Sequence, residues 1–224
     1  GECMNLIVLF LEIIIATLSL IYMYKKYKNE GIYLFIVISV IILSIMSTKL
    51  IELFNFNVNL DLVLNSLLFI STTILVHKKG PEEVKKIITI ILITSLMLFT
   101  TSIIVTLITN SKINSVSNIS FNHIFDFRTR NYLAFIISLF ISLWINSTIY
   151  HQIRQIKNKI WISNTLSIII SSFIECILFV LIAYLFKVNI LTVIQLILTR
   201  YIVKVVLCIS GTKLIYLLND INNH

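Results

Sequence analysis

The chain has 224 residues, 58% of them hydrophobic and only 12% charged, with a mean hydropathy of +0.99 and a formal net charge of +8. A soluble domain of this size cannot hide so much apolar side chain, because some of its surface must meet water. One proline and four glycines argue against turn-rich β structure, and the Lys and Arg residues lie in short clusters between apolar runs, which excludes nucleic acid as the partner.

A bilayer core needs about 20 apolar residues per helix. Seven stretches qualify, at 5–24, 32–53, 60–77, 86–109, 131–151, 163–186 and 190–218. The predicted fold is therefore all-α, a polytopic integral membrane protein in one transmembrane domain over 1–224. Residues 1–31 form an extra N-terminal helix and loop, and 32–218 a six-helix core. The first stretch contains Glu12, lacks a basic leader and ends in "YKKYKNE" without a small-residue cleavage site, so it reads as a retained helix.

The connections alternate in charge. "YKKYKNE", "HKKGPEEVKK" and "HQIRQIKNK" are basic, whereas "ELFNFNVNLD" has no Lys or Arg and "FKVN" has one. The positive-inside rule puts the N-terminus outside and the C-terminus in the cytoplasm of a multi-pass protein of the inner (plasma) membrane. The 110–130 connection carries Lys112, Arg128 and Arg130 and is otherwise neutral; its Asn118-Ile119-Ser120 triplet reads as chance. Pro81, Glu82 and Glu83 mark a helix start after Gly80. Lys49 and Glu52, three apart on the second span, are expected to pair.

Ionisable groups inside spans are expensive and functional by default. In the sixth span Asn164, Ser167, Ser171 and Glu175 fall within roughly 80° of one another, one polar stripe on an apolar helix. In the seventh, Arg200, Lys204, Cys208 and Gly211 make another. Folding the two as a hairpin near Lys187 brings Glu175 and Arg200 to similar depth. Glu175 then neutralises one cation and leaves a polar chamber with about one spare positive charge. In the alternative, Arg200 snorkels to the outer surface and Glu175 with Lys204 is a structural pair. Asn65, Ser66, Ser71, Thr72, Thr73 and His77 of the third span either line the same chamber or bond their own helix carbonyls. No HExxH, GxSxG, Walker or clustered-aspartate motif is present, so no enzyme is expected. Cys3, Cys176 and Cys208 make no CxxC or Cys/His spacing, so neither a metal nor a cofactor is expected.

Five stretches in order, "STKLIELFNFNV", "FISTTILVHKKGPEEVKK", "RNYLAFIISLFISLWINSTIYHQIR", "WISNTLSIIISSFIECILFVLIAY" and "LTRYIVKVVLCISGTKLIYL", resemble the vitamin-uptake-like family of queuosine precursor transporters over about 32–218. The resemblance implies uptake of a 7-deazaguanine base without an ATPase in the same chain. By position, Arg130 matches the Arg opening the fifth span; Asn164, Ser167 and Ser171 match an Asn/Ser face; and Glu175 matches an Asp. Lys204 matches the Lys of the last span, with Thr212 and Tyr216 at its end. The departures are Thr72, Thr73, Val76, His77 and Gly80, where two acids are lost, and Asn146 for an Asp. Leu143 and Ser172 replace Gln, Ser163 replaces Arg, and Gly211-Thr212-Lys213 stands for Asp-Thr-Pro. The expected substrate-binding set is Glu175, Asn164, Ser167, Ser171, Arg200, Lys204, Arg130, Asn65 and Thr73. The expected partners are a purine-like small molecule and the lipid bilayer, with homo-oligomerisation left open. Two alternatives are a substrate-binding membrane subunit of a multi-component vitamin uptake system and a non-transporting interaction protein.

Overall fold

The computed structural model describes residues 2–47, 49–53, 56–108 and 130–220. Lys112, Arg128 and the Asn118 triplet lie outside the described residues. Six helices are long and apolar enough to cross a membrane, in keeping with the all-α polytopic class. They are α1 (Glu2–Met46), α2 (Leu62–Lys79), α3 (Glu83–Leu107), α4 (Arg130–Lys157), α5 (Ile160–Tyr184) and α6 (Ile190–Ser210), the last continued by a short α7 (Thr212–Asp220).

The first two predicted spans are both within α1. Lys28 leaves the helical region (φ 52°, ψ −132°), and a Cβ built on Gly31 would overlap the carbonyl oxygen of Met23. Residues eight apart in a straight helix are about 12 Å apart, so the chain doubles back at Lys28 into legs 2–27 and 29–46. The expected connection in "YKKYKNE" is compressed to one reversed residue, and only a glycine admits the crossing behind it. Gly31→Ala is expected to lower stability by about 1–3 kcal/mol, because the obstacle is backbone and cannot swing away. Thermal unfolding in detergent checks this.

The second leg stops at Met46, short of the expected Leu53. Residues 50–59 instead form a β-hairpin, β1 (Leu50–Leu53) against β2 (Phe56–Asn59), with Leu50 opposite Asn59 and Leu53 opposite Phe56. Phe56, Asn57, Val58 and Asn59 alternate apolar and polar, a period of two that suits a strand and no helix. Lys49 and Glu52 thus lie on extended chain, where residues three apart face opposite sides, and the helical pairing expected of them does not form.

Every residue of α2 from Leu62 to Val76 is buried, which makes it the axis of the bundle. Around it, α5 and α6 form the expected hairpin, reversed through Phe186 (φ 67°) and capped where Asn189 Oδ1 accepts from the Leu191 N–H at 3.3 Å. The break before α3 is as expected: Gly80 at φ 93° ends α2 and Glu83 sits in the first turn of α3. The outward faces carry Leu92, Ile93, Leu96 and Met97 of α3 and Leu198, Ile202 and Val206 of α6, while Ser, Asn and charged side chains turn inward. This inversion of the soluble pattern is what lipid as solvent requires. At Gly211 a Cβ would overlap the Ile70 side chain, so a small residue sets the approach of α6 to α2.

Candidate functional site

Four helices turn polar stripes of period four toward one axis. On α2 and the residue before it these are Asp61, Asn65, Phe69, Thr73 and His77; on α4, Ser138, Ser142, Asn146 and Tyr150; on α6 and α7, Arg200, Lys204, Cys208 and Thr212. Residues four apart share a helix face, and α5 turns Asn164, Ser171 and Glu175 to polar partners on these stripes.

The level nearest the β-hairpin is an ion cluster. Arg200 donates through Nη1 to Asp61 Oδ1 at 2.7 Å and through Nη2 to Asp61 Oδ2 at 2.9 Å, a bidentate pair. Nη2 also reaches Glu175 Oε1 at 2.9 Å, and Lys204 Nζ meets Glu175 Oε2 at 3.1 Å. Asn65 fills the corner, donating to Glu175 Oε1 at 3.1 Å and accepting from Lys204 at 3.4 Å. These side chains are 0–1% exposed. Both cations lie over aromatic faces: Lys204 Nζ is 3.6 Å from the Phe69 centroid and Arg200 Cζ is 4.2 Å from that of Phe179.

The depth match between Glu175 and Arg200 follows the hairpin reading, and Arg200 points inward. The spare positive charge does not survive. Asp61, at the junction of the neutral connection and the third span, supplies a second carboxylate that makes the balance two against two. Its signal was present in the sequence, because Asp61 extends the Asn65, Phe69, Thr73 stripe by one turn.

Below the cluster, Asn146 donates to Thr73 Oγ1 at 3.1 Å and accepts from Ser171 at 3.2 Å. Lower still, Asn164 donates to Thr212 Oγ1 at 2.7 Å. At the basic end, Tyr150 and His77 Nδ1 are 2.9 Å apart. Glu175, Asn65, Arg200 and Lys204 therefore share one centre, with Thr73 and Ser171 a level below it. Ser167 turns to the Asn164 carbonyl at 3.0 Å, and Ser66, Ser71 and Thr72 bond the carbonyls of Leu62, Leu67 and Leu68. Arg130 is not brought to the cluster: its Nε donates to the Ile182 carbonyl and its Nη2 to that of Leu181 at 3.5 Å. The last carbonyls of a helix have no intrahelical donor, and Arg130 supplies one for α5. Several buried polar atoms along the column have no hydrogen-bond partner, among them Arg200 Nε, Asn164 Oδ1, Ser147 Oγ and Ser172 Oγ.

A buried carboxylate beside amides is suited to the N–H edge of a heterocyclic base, and the two phenyl faces are suited to its ring. In this conformation the protein's own cations occupy both.

A family model described as "Putative vitamin uptake transporter" matches residues 61–218, a stretch that opens on Asp61 and holds the whole ion cluster. The "Probable queuosine precursor transporter" of Bacillus subtilis (strain 168) is 25% identical over 175 residues, which cover 77% of this chain and 76% of that protein. No solved structure matches the chain.

Proposed function

The chain belongs to the vitamin uptake transporter family, and on that premise we propose that it carries a queuosine precursor, a guanine-like 7-deazapurine, with Glu175 as the principal binding group. The family is one of transporters and not of enzymes, and the apolar helices make the chain a multi-pass membrane protein. The observation that carries the substrate reading is the contact of Glu175 with Asn65, Arg200 and Lys204, wholly buried between α2, α5 and α6.

A guanine-like edge offers two adjacent N–H donors and one carbonyl acceptor. Glu175 accepts from the donors, as it now does from Lys204 and Asn65; Asn65 or the free Nε of Arg200 serves the carbonyl. The ring then stacks on Phe179, displacing Arg200, which has Asp61 as a second partner to retreat to. Arg200 retains its bidentate hold on Asp61, so substrate entry need not strand a charge. Asn146, Ser171, Thr73, Asn164 and Ser167 continue the polar lining toward the Lys- and Arg-rich end, which faces the cytoplasm in this reading. Arg130 acts on α5 and not on the substrate.

The test is uptake of labelled queuine and related 7-deazaguanines by cells that depend on salvage, repeated with the purified chain in liposomes. Accumulation in both is the expected result. Uptake in cells that is lost with the chain alone would point to a binding subunit of a larger system, and none in either would refute the substrate.

A further inference from the structure

Among the described residues, Glu12 is a carboxylate within the apolar spans that the ion cluster leaves out. Glu12, on the first leg of α1, faces a groove of about 440 Å³ between the two legs and Leu64 of α2. The groove is apolar apart from Glu12 itself and the hydroxyls of Ser19 and Ser39. Its Oε1 is buried without a hydrogen-bond partner, and no cation among the described residues pairs with it. Yet it is not isolated from the site, since Asp61 lies within its electrostatic reach, and Leu9, one turn earlier, packs with Val58 and Leu62 beside Asp61.

With Glu12 ionised, this part of the molecule holds three carboxylates, Glu12, Asp61 and Glu175, against the two cations Arg200 and Lys204. The surplus is one negative charge in a medium that penalises it heavily. One bound cation removes it. A sodium ion needs several oxygen ligands at close range, and the groove offers a carboxylate and two hydroxyls among hydrocarbon. A proton needs only the carboxylate.

We infer that Glu12 is the proton-binding group of the carrier, and that uptake is coupled to the movement of one proton through it. The inference rests on the carrier reading above. The carboxylate takes up one proton from the outer side to become a neutral acid and releases that proton on the inner side; no other bond is made or broken. The charged group within reach of Glu12 is Asp61, itself held by Arg200, and two turns up the same leg Asn5 donates to the backbone carbonyl of Glu52 on β1. The second leg of α1 presents only Phe35, Ile38, Ser39, Ile42 and Met46. Glu12 lies before residues 61–218, the segment matched by the family model.

The experiment uses the full chain in liposomes with a labelled 7-deazaguanine and the membrane potential clamped. For one coupled proton, an acid-outside gradient of one pH unit sustains about tenfold accumulation, because a tenfold ratio and one pH unit are the same free energy. Glu12→Gln is expected to retain gradient-free exchange of labelled for unlabelled base while losing both the tenfold accumulation and the substrate-driven pH rise in the external medium. Glu12→Asp is expected to keep all three. If Glu12→Gln exchanges and still accumulates tenfold, the inference is overturned. If Glu12→Gln does not exchange, the conservative variant decides: retained coupling supports the proton role and its loss refutes it. If the wild type does not exchange the base at all, the carrier reading itself falls, and this inference with it.

Discussion

Asp61→Asn is expected to destabilise the protein by about 3–5 kcal/mol, the usual consequence of stranding one member of a buried ion pair. Set against a total stability of about 5–15 kcal/mol, that brings the variant near unfolding in detergent. The size follows from the geometry. Arg200 is 1% exposed and donates to both oxygens of Asp61 at 2.7 and 2.9 Å; without the carboxylate, Arg200 and Lys204 compete for Glu175 alone. Arg200→Met should damage the fold comparably, by leaving Asp61 bare. The double variant, with neither charge, should recover most of the loss, since removing both members of a buried pair is often nearly neutral. Unfolding of the four proteins closes a double-mutant cycle, and a coupling of at least about 2 kcal/mol is expected for groups in contact. Additive losses would mean that the pair does not hold α6 to the start of α2.

Much of this arrangement was legible because lipid imposes a simple rule. In a chain this apolar, each polar residue in a span must find company, and period four tells which face it finds it on. The stripes of α5 and α6, and the meeting of Glu175 with Arg200, followed from that spacing and a short hairpin. Asp61 did not, because apolar residues run on to Leu53 and make "ELFNFNVNLD" look like a plain connection between two spans. The β-hairpin takes up that segment by alternation and delivers Asp61 to the N-cap of α2. Asn146 was visible as a replaced acid, yet nothing local distinguishes an amide facing Thr73 and Ser171 from one facing lipid. Arg130 lies away from the cluster, on the carbonyls that end α5. A cation opening a helix is equally placed to bind a ligand or to satisfy the bare carbonyls of a neighbouring helix end, and only the packing of α4 against α5 decides between them.

Glu175→Gln is expected to cut uptake of a guanine-like base at least 100-fold, about 2.7 kcal/mol of lost recognition. The single variant cannot separate binding from folding, since it also leaves two cations facing one acid. Charge counting supplies the separation. Lys204→Met leaves two acids against one cation, whereas Glu175→Gln with Lys204→Met leaves the Arg200–Asp61 pair intact and neutral. The double variant should therefore unfold within about 1–2 kcal/mol of the wild type, since its buried charges are again matched. Its uptake should stay at the level of Glu175→Gln, because a glutamine keeps one acceptor oxygen but brings an N–H₂ against the donor edge of the base. Both quantities are measured on the same preparation, one by thermal unfolding and the other by liposome uptake. A double variant that regains stability and uptake together would make Glu175 a structural partner of Lys204 and nothing more. Stability regained without uptake identifies the carboxylate as the group that holds the substrate.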